Sequence, residues 1–360
     1  DNIGTGALSV TVTGTVTGQG GYGIYARNGG SGLTVSAQSV SGNSTGIEAI
    51  NNGSGSISVT ATGPVTGTTD MGIYAFNINT GVNLDVSAAD VTGATDGIVV
   101  THRGTGALSV TATGTVAGTG GYGVYAHSYS GTNVTIAAAS VSGRVGISAR
   151  HNGTGSLSVA STGPVVGTAG RGIYAFNGSY ATNLDVNVAA VTGATDGIFA
   201  RNYGRGVLSV TSSGMVTGTS GNGIDTRNSS SGTGLTVSTA SVSGAVDGIY
   251  ANNLGTGALS VTATDAVTGT GGYGVAALNS GTGLSVFTAS VSGNSAGIYA
   301  LNNGSGSLSV TATGSVAGTT GRGIFAKNDS TGGNLTVRAV GITGTTDGIY
   351  ANNLGTGALS

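Results

Sequence analysis

The stretch Gly255–Asp265 reads GTGALSVTATD, and its recurrence decides the fold. Variants stand at Gly4–Gly14, Gly53–Gly63, Gly104–Gly114, Gly153–Gly163, Gly204–Gly214 and Gly304–Gly314, with an eighth copy running into Ser360. Their starts lie 49 or 51 residues apart. A weaker sister sits inside each interval, as at Gly32–Ala37, Asn83–Ala88 and Gly283–Thr288, so the underlying period is about 25 residues. A fixed period of this size is the mark of a stacked array, in which no unit buries its apolar face alone.

A Gly followed by Ile or Val marks each turn of the array. The markers are Gly23, Gly46, Gly72, Gly97, Gly123, Gly146, Gly172, Gly197, Gly223, Gly248, Gly274, Gly297, Gly323 and Gly348. These 14 markers are spaced 23, 25 or 26 residues apart. In the coil from Gly23, strict alternation places Ile24 and Ala26 on one face and Tyr25 and Arg27 on the other. Asn28–Gly32 turns the chain, Leu33, Val35 and Ala37 line a second strand, and a short third strand lies around Val40. The Leu33 slot is aliphatic from Leu8 to Leu335, and the Val40 slot from Val16 to Ile342. Glycines such as Gly18, Gly42 and Gly67, two residues after the third-strand Val, suit a positive φ or a tight approach of neighbouring coils.

The expected fold is therefore all-β: a single-stranded parallel β-helix of about 14 coils of about 25 residues, with three short strands per coil. A sandwich would not keep one slot order in every unit, and no helical pattern supplies βαβ crossovers. Right-handed coiling is expected by analogy with three-sided β-helices and with the handedness of parallel connections. Residues 1–360 read as one continuous helix without separate domains. Neither end carries a polar cap, so the expectation is a window from a longer array. Val91–Ile98 and Val191–Ile198 both read VTGATDGI, as a duplicated block of 100 residues would.

Composition narrows the function. Only 7% of residues are charged and the net charge is −2, so nothing provides an electrostatic footprint for nucleic acid. No run of 18 apolar residues exists to insert in a membrane as a helix. The absence of Cys excludes a disulfide scaffold.

The phrases GTGALSVTATG and GIYAxN resemble the passenger-domain repeats of Gram-negative bacterial autotransporters, the type V secreted proteins, over nearly the whole chain. The resemblance implies a right-handed β-helix on the extracellular side of the outer membrane, or secreted from it. It also implies an adhesin-like role. The autochaperone segment and membrane barrel of that family have no counterpart in these residues.

Three groups of side chains are candidates for function. The first is an outward aromatic stripe: Tyr25, Tyr74, Phe76, Tyr125, Tyr174, Phe176, Phe199, Tyr250, Tyr299, Phe325 and Tyr350. It could bind glycan or pack on a second rod, or serve only as sheet packing. The second is an Asn column at the end of the first strand: Asn28, Asn51, Asn77, Asn177, Asn202, Asn228, Asn253, Asn279, Asn302, Asn328 and Asn353. These amides suit a structural ladder, or a left-handed turn residue. The third is the turn residues Asp96, Asp196, Asp247 and Asp347. They lie two or more coils apart, so they give neither the carboxylate pair of a glycosidase nor a calcium cage, and at most a loose calcium contact. His102 and His151 share the Asn slot two coils apart, too far for one metal at about 2 Å ligand distance. No cofactor or metal site and no catalysis are expected.

The resulting reading is a structural or adhesive rod. Its contacts would be self-association, or a glycan or protein of a host or neighbouring cell. The alternatives are a polysaccharide-active enzyme or glycan-binding module on the same scaffold, and a water-ordering Ser/Thr face. That face is interrupted by Asp85, Asp185, Asn187, Phe287 and Arg338. At about 4.8 Å per coil, 14 coils would span roughly 65–70 Å. Small-angle scattering should return a long axis near that value, and a compact particle would contradict the single-rod expectation.

Overall fold

The alternation of aliphatic and small polar residues folds as the period demands. The computed structural model describes every residue from Asp1 to Ser360 and contains 36 strands and no helix. The protein is an all-β parallel solenoid of about 14 turns, with three strand positions per coil. By its contacts it divides into two units, Asp1–Gly170 with Tyr174–Thr182, and Arg171–Ile173 with Asn183–Ser360.

In the first unit the first strands Ile24–Asn28, Ile47–Asn51, Ile73–Asn77 and Ile98–His102 pair in parallel, slot to slot. Ile24 faces Ile47, Ala26 faces Ala49 and Asn28 faces Asn51. In the second unit Ile198–Asn202, Ile224–Asn228, Ile249–Asn253 and Tyr273–Asn279 pair the same way. Second strands align Leu on Leu, as Leu208 on Leu235 and Leu235 on Leu259, and third strands align Val on Val. Inside each unit the core is thus a set of identical-residue columns. Leu33, Ile57, Leu84, Leu108, Val134 and Leu157 are buried in the first unit, and Leu184, Leu208, Leu235, Leu259, Leu284 and Leu308 in the second. Leu8, Val16 and Ile342 are only half-covered.

Two local expectations change. The third-strand glycines are not there for a positive φ, which only Gly341 shows, at 66°. They are there for room: a Cβ on Gly67 would run into the Met71 carbonyl, and one on Gly42 into that of Thr45. The Asn column is likewise not left-handed, since no non-Gly residue has a positive φ. Those residues close the extended first strand and point inward.

Alternate coils differ at one corner. The step from Leu8 to Val16 is one residue longer than from Leu33 to Val40, and the register shifts between Val12 and Thr15 to absorb it. The same shift lies between Ala112 and Thr115. The extra residue is fixed by a bond to the coil before, as Gly114 N–H to Ala89 O at 3.3 Å and Gly314 N–H to Ala289 O at 2.9 Å. In two successive coils the strands run on through the corners, as Leu108–Ser128 and Val134–His151.

Truncating one core column should cost what a buried aliphatic costs. Leu259→Ala is expected to lower unfolding free energy by about 2–5 kcal/mol and Leu259→Asp by more, because it strands a carboxylate. The outward Ser260→Ala should stay within about 0.5 kcal/mol. Urea unfolding followed by circular dichroism measures all three.

Candidate functional site

The three faces of the coil are chemically unequal. Of the 13 Tyr and five Phe, Phe287 alone lies on a second strand, and Arg338 is the one cation there. Every other aromatic or cationic side chain stands on a first strand or in a turn beside it. The other two faces present Ser, Thr, Gly and Ala with a few carboxylates. Any recognition chemistry is concentrated on the first-strand face.

Beneath that face the Asn residues form hydrogen-bonded ladders. In the first unit, Asn28 Nδ2 donates to Asn51 Oδ1 at 3.0 Å and Asn51 Nδ2 to Asn77 Oδ1 at 2.9 Å. In the second, the same bond steps from Asn202 through Asn228, Asn253, Asn279, Asn302 and Asn328 to Asn353, at 2.8–3.1 Å. Asn253 shows why Asn fits. Its amide donates to Asn279 Oδ1 and Gly257 O, and its carbonyl accepts from Asn228 Nδ2 and Gly255 N–H. Four polar partners are met at a fully buried position.

In the first unit His102, Ser128 and His151 take that slot in three successive coils, and all three are fully buried. His102 Nε2 donates to Gly106 O at 3.2 Å, which leaves Nδ1 without a donor. Neither ring nitrogen of His151 has a hydrogen-bond partner. Burial pushes both histidines below their ordinary pKa, opposed only by nearby carbonyls. His127, between them on the outer side, is 7% exposed. Its Nε2 accepts from Asn152 Nδ2 at 3.1 Å and its ring stacks on Tyr129 at 3.9 Å. Burial, then the charges of Arg150 and Arg103, lower its pKa to about 4.

The aromatic stripe is present but unevenly available. In the second unit Tyr299, Phe325 and Tyr350 stack ring on ring, with centroids 4.7 and 5.1 Å apart and planes within 6°. Tyr273 joins at 5.0 Å. Their faces cover one another and only edges and hydroxyls remain outward. Phe199 is covered by Arg171 and Arg201, whose guanidiniums lie 3.9 and 3.8 Å from its centroid. In the first unit Arg103 lies over Phe76, and Arg150 over Tyr174 and Phe176, each at 5.5 Å. Tyr74, Phe76, Tyr174 and Phe176 are accordingly half-buried. Tyr25, Tyr125 and Tyr250 flank the same face, with Tyr25 and Tyr350 exposed.

Sequence reasoning did not single out Tyr22, Tyr122, Tyr129, Tyr180, Tyr203 and Tyr273, which lie in turns or at the strand ends beside them, nor the cations over the rings. Tyr180 is the most exposed aromatic, at 72%. A signal existed: Tyr22, Tyr122 and Tyr273 directly precede a marker Gly, and Tyr129 and Tyr203 directly follow the Asn slot. Turn positions carry no alternation to flag them, although loops are where binding residues concentrate.

The turn aspartates are engaged within the coil stack. Asp96, Asp196 and Asp247 carboxylates accept the backbone N–H of Tyr122, Asn222 and Tyr273, one coil on. Asp196 and Asp347 also pair with Arg171 and Arg322, at 2.9 and 2.8 Å. Nowhere do three acidic or His groups converge as a metal site would require. No protein-family model, curated protein or solved structure matches the chain. The structure therefore stands as a parallel β-solenoid, and the autotransporter likeness rests on repeat style alone.

Acid should weaken the first unit. A histidine whose folded pKa is depressed adds stability above its unfolded value near 6.5, and that stability is lost as pH falls. For His127 the loss reaches on the order of 3 kcal/mol by pH 4. In the same unit Glu48 and Asp85, raised by burial, act in the opposite direction. Denaturant unfolding at pH 7, 5.5 and 4.5 should therefore show a pH-dependent loss that shrinks in the variant His102→Asn/Ser128→Asn/His151→Asn.

Proposed function

We propose that this protein is a structural and adhesive scaffold of the bacterial cell surface, working by contact through its first-strand face and not by catalysis. The observation that carries this reading is the segregation just described: Phe287 apart, every aromatic lies on one face or its flanking turns. Aromatics bury large area at low entropic cost and are enriched in contact cores. The solenoid behind them supplies a rigid support, because its columns and ladders repeat coil after coil. The cell-surface setting follows the repeat resemblance.

The contact is expected to be chiefly aromatic. The half-covered rings of Tyr74, Phe76, Tyr174 and Phe176 contribute edges, and the more exposed Tyr25, Tyr180, Tyr203 and Tyr350 contribute larger parts of their side chains. Replacing the latter four by Ser should reduce self-association in analytical ultracentrifugation, or attachment to a cell or glycan surface. An equal number of Thr→Ala changes on the second-strand face should do neither. Retention of both activities in the Tyr→Ser variant would move the contact elsewhere, and polysaccharide depolymerisation by the purified protein would replace this reading with an enzymatic one.

A further inference from the structure

We propose that the cluster around Arg103 and Arg150, on the first-strand face of the first unit, binds a carboxylate-bearing polysaccharide; this deepens the contact-surface reading and rests on it. The cluster spans three coils. Arg103 lies between Phe76 below, at 5.5 Å, and Tyr129 above, at 5.2 Å. Arg150 lies two coils on, its Nη2 donating to the Tyr174 hydroxyl at 3.5 Å. His127 sits in the coil between, paired with Arg150 across the strands.

Charge decides the ligand class. In the second unit Arg171, Arg201 and Arg322 each meet a carboxylate one coil away, at 2.9, 2.6 and 2.8 Å. Arg103 and Arg150 meet none. Their partners are ring faces, which position a guanidinium without neutralising it. Two acids of the same unit are otherwise placed: the Asp96 carboxylate accepts the Tyr122 N–H, and Glu48 lies across the strands from Tyr74. Both guanidiniums press on His127, whose ring stays neutral near pH 7. The patch therefore carries two fixed positive charges, on coils about 10 Å apart by the spacing of alternate strands. Guanidinium forks match carboxylates in pairs of parallel bonds.

The surroundings favour a sugar over an acidic peptide or nucleic acid. Asn79, Arg103, Tyr129 and Ser130 line an open notch of about 410 Å³. It offers amide, hydroxyl and aromatic surface, suited to a ring bearing hydroxyls, and no apolar recess for a peptide side chain. Tyr129 stacks on His127 and meets Arg103, yet it is 44% exposed, so part of its ring and its hydroxyl can reach a sugar. A chain of net charge −2 with no basic run is poorly suited to a polyphosphate.

Oligogalacturonate titrated into the whole chain by calorimetry tests the assignment, with a neutral galactan, a sulfated glycosaminoglycan and poly-glutamate in parallel. The uronate oligomer should bind, and more weakly as salt rises from about 50 to 500 mM. Arg103→Gln/Arg150→Gln should weaken it by about tenfold or more, and Arg103→Lys/Arg150→Lys by less. Both variants should unfold at the wild-type urea midpoint, since Arg103 is exposed and Arg150 half-exposed. Absence of uronate binding, or equal binding by the Gln variant, overturns the site. Equal binding of galactan overturns the charge argument, and equal binding of sulfated glycan or poly-glutamate overturns the carboxylated-sugar class. Failure here with the Tyr→Ser effect intact removes only this ligand; loss of the Tyr→Ser effect with uronate binding intact removes the broader contact reading.

Discussion

Each strand residue of a coil stands in register with its own equivalent one coil away, its backbone bonding the residues that flank that equivalent, and the rest of the structure depends on that register. Slot-to-slot pairing puts Leu on Leu, Val on Val and Asn on Asn. A slip of one residue would turn every aliphatic column outward. Register is therefore over-determined, by apolar burial on three strands and by an amide ladder on one. This explains how a chain that is one-fifth glycine, with 72 in 360 residues, holds a single conformation. The missing Cβ atoms are what let turns and third strands approach so closely, as at Gly67 and Met71.

The same logic fixes what can vary. Inward positions accept almost nothing but the column residue, while outward ones change freely between coils: Tyr74, Val99, Tyr125 and Ser148 share one slot. Function on such a scaffold is written in outward residues and turns. It is also where charge is placed: guanidiniums lie over rings, and carboxylates reach the N–H groups of the next coil. The three-coil break at His102, Ser128 and His151 is the exception, a change of the inner column itself. There a neutral amide ladder gives way to titratable rings with unpartnered nitrogens.

Nearly all of the fold was legible in the sequence because period and alternation act at every coil and need no distant information. The position of each Leu and Val followed from counting. The Asn slot was legible too, although its inward, extended geometry was not, since a left-handed turn residue and a ladder residue look alike in one dimension. The candidate site was only partly legible. The stripe at the Tyr25 slot follows from alternation, but its covering by Arg103, Arg150 and Arg171 does not, because those contacts join residues of different slots in different coils. The role of the turn aspartates was hidden for the same reason: the N–H that Asp247 satisfies belongs to Tyr273, a full coil later.

The one-residue difference between alternate corners has a consequence for how such an array evolves. A bulged corner stacks on a plain one, and at Gly63, Gly114, Gly214, Asp265 and Gly314 the extra residue bonds back to the coil before it. Removing or copying a single coil would bring two like corners together and leave that bond without its mate. Removing or copying two coils restores the alternation at once. Recombination between repeats should therefore be tolerated in steps of about 50 residues or multiples of it, and the identical stretches Asp247–Ser260 and Asp347–Ser360 are the length of two such steps apart. Copy number becomes a heritable quantity with an even-numbered grain, set by a corner and not by the core.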